Sequence, residues 1–264
     1  MQTRLQIVKS WPCFPSTLWS PMKVISHAGH VCWFDPDCFS AFTPEQFTPG
    51  WWQSREWVLG QSRGRGITWF VQEPGKPALV LRHYWRGGLM GRLLGDRFWL
   101  TPLARSRAMA EFSLLTRLRE LGLPVPKPAA ARRVRHGLFY RADLLIERIP
   151  GARDLVQILR ERPLAESEWQ AVGQVIRQLH QAGVYHSDLN AHNLLLDARG
   201  KVWVIDFDKC DLRQPGPWQQ EMLARLLRSL RKESALHPEF HWQESLWPNL
   251  LQGYQADGAG EERE

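Results

Sequence analysis

Between residues 55 and 149, apolar positions come in short runs, many of them alternating with polar ones, and turn-forming Gly and Pro separate the runs. Runs of this length and spacing are typical of strands in an antiparallel sheet. The strands that we predict on this basis cover residues 57–59, 67–71, 78–82, 125–131 and 138–149. Residues 60–66 and 74–77 are predicted as the turns of a β-meander.

In the second half of the chain the apolar positions recur every three or four residues, which is typical of an amphipathic helix. The longest such stretch covers residues 168–182 and is followed by Gly183, a stop signal. The other helices that we predict cover residues 101–121, 154–160 and 218–230. A sheet that carries one helix, followed by a mainly helical region, is an α+β architecture.

This distribution predicts two lobes, an N-terminal lobe over residues 22–149 and a mainly helical C-terminal lobe over residues 150–252. Residues 1–21 contain Pro and Trp without periodicity, so we predict an unstructured extension there. Residues 253–264 are rich in Gly and Glu, which predicts a disordered tail.

The candidate chemistry is concentrated between His186 and Asp208. His186, Asp188 and Asn193 have the spacing H-x-D-x-x-x-x-N. Two apolar runs, residues 194–196 and 202–205, follow and predict a strand pair, after which Asp206 begins a D-F-D motif. Phosphoryl transfer needs a carboxylate that accepts or orients the proton of the attacking hydroxyl, and we expect Asp188 in that role. It also needs oxygen ligands for Mg²⁺, which Asn193 and Asp206 offer.

A glycine-rich segment lies in the first predicted turn, ahead of this stretch. Gly60, Gly64 and Gly66 would let backbone N–H groups approach the phosphates of ATP. Their spacing departs from the usual kinase pattern, and a simple hairpin turn is the competing interpretation.

The third predicted strand ends in Arg82, at the place where a phosphate-binding cation is expected. Protein kinases have Lys there, whereas the guanidinium of Arg keeps the charge and adds a fork that can bind phosphate through two donors. Glu111, in the middle of the predicted helix, is the expected ion-pair partner of Arg82. Glu147 begins a segment, residues 147–151, that we predict as a hinge whose backbone contacts adenine.

Charge is unevenly distributed along the chain. Residues 55–141 contain 17 Lys and Arg against 5 Asp and Glu, a net charge of +12, whereas the whole chain has +7. Within this region Arg86, Arg92 and Arg97 alternate with large apolar side chains that include Phe98 and Trp99. Such a mixture suits an anionic glycolipid or membrane surface. An irregular insert or a solvated basic face is the competing interpretation, and no nucleic-acid partner is expected.

The four cysteines have no paired metal-ligand spacing, so Cys13, Cys32, Cys38 and Cys210 are expected to be free thiols in a reducing compartment. No apolar run approaches the roughly 20 residues of a membrane span. The N-terminus is not a convincing signal peptide. The cytoplasm is therefore the expected compartment.

Over about residues 22–252 the chain resembles the 3-deoxy-D-manno-octulosonic acid (Kdo) kinases of lipopolysaccharide assembly, part of a kinase-like group that includes heptose kinases. Two of the motifs that carry the resemblance, GLPVP and GLFYRADL, go beyond general kinase logic. The matching segments are RHYWRGGL at 82–89, GLPVP at 122–126, GLFYRADL at 137–144, HSDLNAHN at 186–193 and IDFD at 205–208.

The resemblance implies a two-lobed protein-kinase-like fold and ATP-dependent phosphorylation of the 4-hydroxyl of Kdo on Kdo-lipid A. It also implies a peripheral location at the cytoplasmic face of the bacterial inner membrane. Within the match Asp188 is the expected base, and Asn193 and Asp206 are the expected metal ligands. The role of Asp208, which stands where kinases have Gly, stays open, as does that of His192.

Three alternatives remain at this point. One is another lipopolysaccharide sugar kinase that acts on heptose. Another is a soluble small-molecule kinase of the aminoglycoside or choline type, which shares the H-x-D-x-x-x-x-N spacing but leaves the arginine-rich stretch without a purpose. A non-catalytic pseudokinase is disfavoured because Asp188, Asn193 and Asp206 are all present. The oligomeric state does not follow from the sequence.

Overall fold

A computed structural model describes residues 4–7, 22–27, 29–64, 66–88 and 94–256. The chain divides into two compact units. The first unit comprises Met1–Glu120 and Lys127–Arg148, and the second comprises Leu121–Pro126 and Ile149–Glu264. Residues 121–126, predicted in the N-terminal lobe, belong to the second unit because the N–H of Val204 donates to the carbonyl oxygen of Pro124 at 2.9 Å.

The described part of the first unit is built on one antiparallel sheet. Its strands are β1 Arg4–Ile7, β2 Lys23–His27, β3 His30–Phe34, β4 Val58–Arg63, β5 Ile67–Val71, β6 Leu79–His83, β7 Phe98–Trp99, β8 Pro128–His136 and β9 Phe139–Glu147. They are arranged in the order β1-β2-β3-β8-β9-β6-β5-β4, and β7 also pairs with β9. The predicted meander corresponds to β4, β5 and β6. The hairpin of β2 and β3 was not predicted, because residues 22–54 show no sustained alternation.

Each face of this sheet is covered by a different hydrophobic cluster, because successive strand residues point to opposite faces. Leu144 belongs to one cluster and its neighbour Leu145 to the other. Helix α2, Arg107–Glu120, packs on the Leu144 side through Met109 and Phe112. The Leu145 side is covered by residues 36–57, which contain two 3-10 turns and the short helix α1, Pro49–Gln53.

Three boundaries in the first unit differ from the prediction. The turn predicted over residues 60–66 is shorter, because Gln61, Ser62 and Arg63 continue the β4–β5 ladder as far as the pair of Arg63 with Ile67. The predicted helix over 101–121 begins only at Arg107, whose N–H donates to the hydroxyl of Tyr140 at 3.2 Å. In the extension predicted as unstructured, residues 4–7 pair with β2, and residues 1–3 and 8–21 lie outside the described residues.

The arginine-rich stretch is described only in part, since Leu89 to Leu93, with Arg92, lie outside the described residues. Phe98, predicted among the surface apolar residues, is buried beside Tyr140, their ring centroids 5.5 Å apart. Trp85 and Trp99 are exposed. As predicted, Cys32, Cys38 and Cys210 are free thiols, and burial raises the pKa of Cys32 and Cys38 to about 12. Cys13 lies outside the described residues.

The second unit is mainly helical. Its helices are α3 Leu155–Leu159, α4 Glu166–Gln181, α5 Trp218–Leu236 and α6 Trp247–Gln255. Short strands complete it, namely β10 Arg153–Asp154, β11 Val184–Tyr185, β12 Leu194–Leu196, β13 Val202–Val204 and β14 Asp211–Leu212. The predicted helix over 218–230 extends to Leu236, and α6 was not predicted.

Helix α6 lies directly on α4, which explains why the chain is ordered past the predicted boundary at residue 252. A β-carbon on Gly173 of α4 would come within 2.0 Å of the carbonyl oxygen of Leu250. One on Gly253 of α6 would come equally close to the carbonyl oxygen of Gln170. The two glycines therefore allow the helix backbones to touch. Residues 257–264 of the predicted tail lie outside the described residues.

Within the portion of the chain that the structure describes, no helix combines the length and the apolar character needed to cross a membrane.

Candidate active site

The candidate catalytic loop, residues 186–193, lies in the second unit between β11 and β12. Because β11 pairs with β14, the segment that enters the loop is joined to the segment that follows Asp208. The loop ends in a 3-10 turn, Ala191–Asn193, that leads into β12. The N–H of Ile205 donates to the carbonyl oxygen of Asn193 at 3.0 Å, which brings the backbone before Asp206 beside this turn.

His186 is fully buried and supports the loop from within. Its Nε2 donates to the carbonyl oxygen of Ile205 at 3.0 Å, and its Nδ1 accepts the N–H of Asp188 at 3.3 Å. One donor and one acceptor are the pattern of a neutral imidazole. Burial lowers the pKa of His186, in agreement with that state. The ring also packs edge-on against Phe207, so His186 links the loop to the D-F-D motif.

Asp188 and Asn193 are joined through the backbone of the aspartate. The Nδ2 of Asn193 donates to the carbonyl oxygen of Asp188 at 2.9 Å, and the Nδ2 of Asn190 donates to the same oxygen at 3.0 Å. Asp188 itself is exposed, whereas Asn193 is buried. The arrangement therefore holds the loop through main-chain contacts and presents the carboxylate of Asp188 to solvent.

Asp206 follows β13 with a left-handed backbone, at a φ of 64°. Asp tolerates this conformation better than most residues other than Gly. Two residues later, the carbonyl oxygen of Asp208 accepts the hydroxyl of Ser187 at 2.9 Å. The backbone of Asp208 thus fastens this segment to the catalytic loop.

The donor set of Asn193 and Asp206 fits a magnesium ion that is shared with a nucleotide. The amide nitrogen of Asn193 is engaged by Asp188, so the oxygen is the atom of this amide suited to a cation. Asp206 adds an anionic oxygen. Among the described residues no group of three His, Cys, Asp or Glu side chains could hold a metal ion. Mg²⁺ is commonly bound in this way, by one or two protein ligands together with substrate phosphates and water.

In the first unit the predicted pair of Arg82 and Glu111 is present, and this prediction is confirmed. Arg82 on β6 donates through a terminal nitrogen to the carboxylate of Glu111 on α2. Glu111 is buried, whereas the Arg82 side chain keeps 23% of its surface exposed. The pair therefore holds a strand cation in place against a helix glutamate, as the kinase arrangement requires.

The three predicted glycines lie on the β4–β5 hairpin but not in one loop. Gly60 lies within β4 at a break in register with β5, Gly64 donates its N–H to the carbonyl oxygen of Gly66 at 2.9 Å, and Gly66 lies against the indole of Trp85. The turn itself is a hairpin turn. Gly64 and Gly66 are at its tip, and Gly60 is part of the strand.

Glu147 ends β9 and is held on both sides. Its N–H donates to the carbonyl oxygen of Lys127 at 2.8 Å, and its carboxylate lies 3.8 Å from the Lys127 ammonium. The thiol of Cys38 donates to the same carboxylate at 3.8 Å. These contacts occupy the side chain of Glu147 within the first unit.

Two sets of contacts next to Arg82, those of Tyr84 and those of His83, were not predicted. The hydroxyl of Tyr84 donates to Glu111 and accepts from Arg82 at 3.2 Å. Tyr84 is two residues from Arg82 and therefore on the same strand face, a signal present in the sequence. On the opposite face, the ring nitrogens of His83 contact Asp143 at 2.7 Å and Asp96 at 3.1 Å. Burial opposes the charged ring, but these carboxylates outweigh it and raise the pKa of His83.

These residues are the set expected in a kinase-type phosphotransferase. The first unit provides a strand cation paired with a helix glutamate, and the second provides Asp188, Asn193 and Asp206. A family comparison agrees with this class. Residues 50–254 match the lipopolysaccharide kinase (Kdo/WaaP) family, and the chain belongs to that family.

Relatives with high similarity support the assignment. A protein of Vibrio parahaemolyticus named 3-deoxy-D-manno-octulosonic acid kinase is 48% identical over 217 residues, which cover 82% of this chain and 90% of the relative. A protein of the same name from Mannheimia succiniciproducens is 41% identical over 243 residues, or 89% of this chain and 100% of the relative. Among solved structures, the Cydia pomonella granulovirus kinase PK-1 matches with a TM-score of 0.40 and 16% identity, covering 64% of this chain and 58% of that one.

Proposed function

We propose that this protein is a Kdo kinase, which transfers the γ-phosphoryl group of ATP to the 4-hydroxyl of Kdo in Kdo-lipid A. The observation that carries this proposal is the 48% identity to a protein named Kdo kinase over 90% of that relative's length. The matched region of the family, residues 50–254, includes every candidate site residue.

The reaction assigns one task to Asp188. The oxygen of the acceptor hydroxyl forms a bond to the γ-phosphorus as the bond from that phosphorus to the bridging oxygen of ADP breaks. The hydroxyl proton goes to the exposed carboxylate of Asp188. The loop contacts hold the backbone of Asp188 and not its carboxylate, which keeps the acid group available for this proton.

The remaining site residues act on the nucleotide. Asn193 and Asp206 would hold Mg²⁺, which neutralises charge on the β- and γ-phosphates when it is bound. Arg82 would contact phosphate from the first unit, held by Glu111 and Tyr84. Gly64 and Gly66 would bring the hairpin tip close to the phosphates, with Gly60 shaping the strand behind them.

We further infer that the first unit binds the anionic cytoplasmic surface of the bacterial inner membrane, where a glycolipid acceptor would reside. Its support is an apolar tip, which we define as Trp99, Leu138 and Phe139. Trp99 is 55% and Leu138 69% exposed, and the rings of Trp99 and Phe139 pack at a tilt of 32° with centroids 4.5 Å apart. Exposed apolar clusters on a basic rim suit insertion between lipid headgroups.

The rim of the apolar tip is basic. Residues 97–110 and 128–142 contain seven arginines and no Asp or Glu. Two of the seven, Arg132 and Arg141, pair with the flanking Asp143 and Asp96, and five remain outside these pairs. Arg135 donates to the carbonyl oxygen of Gly137 at 3.1 Å, and Arg133 donates to that of Thr101 at 3.0 Å, so both arginines lie next to the tip. Each such charge near an anionic surface contributes about 1 kcal/mol.

The kinase proposal is tested by incubating the protein with γ-labelled ATP, Mg²⁺ and Kdo-lipid A. Label should enter the lipid and stay with it after the labelled ATP has been washed away. Lipid A without Kdo should stay unlabelled. Labelling only of a heptose-bearing acceptor, or of no acceptor, would contradict the proposal.

The membrane proposal is tested separately by sedimentation with anionic and neutral vesicles at low and high salt. Trp99→Ser with Leu138→Ser should reduce binding to anionic vesicles. Leu236→Ser is the matched control, because Leu236 is 58% exposed but lies at the end of α5 in the second unit. Equal binding of the wild type to both vesicle types would contradict a charge-dependent surface.

A further inference from the structure

His192, in the candidate catalytic loop, lies between two carboxylates that come from different elements of the second unit. Its Nδ1 is 3.7 Å from an oxygen of Asp154, and its Nε2 is 3.5 Å from an oxygen of Glu233. Each ring nitrogen of His192 is therefore in contact with one carboxylate oxygen. His192 is therefore in contact with groups that precede and follow the loop in the chain.

Glu233 on α5 is a buried group with a second contact. Its side chain keeps 7% of its surface exposed, and its other carboxylate oxygen lies 3.5 Å from Nε2 of His237. A buried carboxylate is costly unless polar or charged partners compensate it. One helical turn earlier, the hydroxyl of Ser229 accepts the N–H of Ala191 at 3.1 Å. One face of α5 thus contacts two successive loop residues.

Asp154 is equally well fixed. It caps the N-terminus of α3 by accepting the N–H of Gln157 at 2.9 Å, and it pairs with Leu195 in the β10–β12 ladder. His192 is thus in contact with two rigid elements, α5 and the start of α3. Movement of the 191–193 turn would change Asn193 and, through its hydrogen bond to the backbone of Asp188, the catalytic carboxylate as well.

We propose that His192 is a positioning residue, which holds the 191–193 turn against Glu233 and Asp154 so that Asp188 and Asn193 keep their geometry. This inference rests on the proposed kinase function for its kinetic consequence. Small displacements of reacting groups are costly in rate, about 100-fold for 1 Å. A positioning role therefore predicts an effect on turnover and not on binding of the acceptor.

The test compares His192→Ala with His237→Ala. His237 contacts the same carboxylate at the same distance but lies outside the loop, at the C-terminal end of α5. We expect His192→Ala to lower kcat about tenfold, with the KM for Kdo-lipid A and for ATP changed less than twofold. His237→Ala should keep kcat within twofold. Glu233→Gln should lower kcat as well. The double variant should have nearly the same kcat as His192→Ala alone, because both substitutions remove the same contact between His192 and Glu233.

A second measurement does not depend on activity. Amide hydrogen exchange of the peptide that contains residues 187–193 should be faster in His192→Ala than in wild type or His237→Ala. If wild type does not phosphorylate Kdo-lipid A, the proposed function fails while the exchange comparison still tests the positioning role. A raised KM for Kdo-lipid A at unchanged kcat would make His192 an acceptor contact and overturn the proposal. Unchanged exchange in His192→Ala would overturn it too.

Discussion

The guanidinium of Arg82 and the hydroxyl of Tyr84 both donate to one carboxylate oxygen of Glu111. Glu111 is buried, so these charge-assisted hydrogen bonds compensate the cost of removing its charge from water. Because one end of Arg82 is fixed in this way, the guanidinium is held in a defined position on β6. The pair therefore connects the stability of the first unit to its proposed contact with phosphate.

Arg82→Ala should raise the KM for ATP, lower turnover and destabilise the first unit by about 1–3 kcal/mol. Arg82→Lys should recover part of the ATP affinity, since a charge remains but the fork is lost. Tyr84→Phe is the control, because it removes a hydrogen bond to Glu111 but no cation. It should lower the melting temperature with little change in the KM for ATP. Equal impairment in Arg82→Ala and Arg82→Lys would indicate a purely structural arginine.

The contact of α4 with α6 makes a sharp prediction about stability. Gly173→Ala should destabilise the second unit by at least about 3 kcal/mol, because its β-carbon would overlap the backbone of α6 and no side chain can move aside. Gly50→Ala in α1 is the matched control, since a β-carbon there meets no atom within 4 Å. That variant should be neutral or slightly stabilised. Denaturant unfolding measures both, and equal stability of the two variants would contradict the close crossing.

The strand pair that flanks the candidate site follows from local pattern. The apolar runs predicted at 194–196 and 202–205 correspond to β12 and β13. Both runs are short and buried and are separated by a turn with Gly200. The Arg82–Glu111 pair was equally accessible, because the order of strand and helix places an arginine and a glutamate on facing elements.

Features that depend on distant residues could not be predicted in this way. Helix α2 begins at Arg107, whose N–H donates to the hydroxyl of Tyr140, 33 residues away, and not at the local signal of Thr101 and Pro102. Phe98 lies in an arginine-rich segment and was expected to be exposed, but it is buried because β7 pairs with β9. Similarly, Gly253 looks like part of a flexible tail, and its packing role appears only when α4 is beside it.

Stability should fall in acid because of His180. Burial lowers the pKa of His180 to about 4 in the folded protein, where its Nδ1 is hydrogen-bonded to the hydroxyl of Tyr254 at 2.8 Å. The unfolded chain, with an ordinary histidine pKa near 6.5, binds the proton first. This contribution is therefore fully present above about pH 6.5 and is lost as the pH falls toward 4.

Protonation of His180 should lower the free energy of unfolding by about 3 kcal/mol between pH 6.5 and pH 4. It is measured as the free energy of unfolding of wild type and His180→Gln at several pH values. The variant should show a weaker dependence between pH 6.5 and 4. His186 contributes in the same direction, because its pKa is also lowered. The raised pKa of His83 has the opposite effect, since its contribution to stability is present at low pH and is lost as the pH rises through that pKa. An identical pH dependence in variant and wild type would contradict the assignment to His180.

Asp206→Asn should lose magnesium-dependent binding of ATP together with activity. Asn tolerates the left-handed backbone at this position as Asp does, so the fold should be kept while the anionic oxygen is lost. Calorimetry with Mg·ATP should show weaker binding than in wild type, and the two proteins should become similar in EDTA. Unchanged affinity for Mg·ATP would remove Asp206 from the metal site.

The most direct test of the account is phosphoryl transfer to Kdo-lipid A by Asp188→Ala. The loop contacts to residue 188 use its backbone, so this variant should fold as wild type does and bind Mg·ATP with nearly unchanged affinity. Because the carboxylate acts on the acceptor hydroxyl, turnover should fall by about 10²–10⁴-fold. Turnover close to that of wild type, in a variant shown to be folded, would contradict the assignment of Asp188 and with it the proposed mechanism.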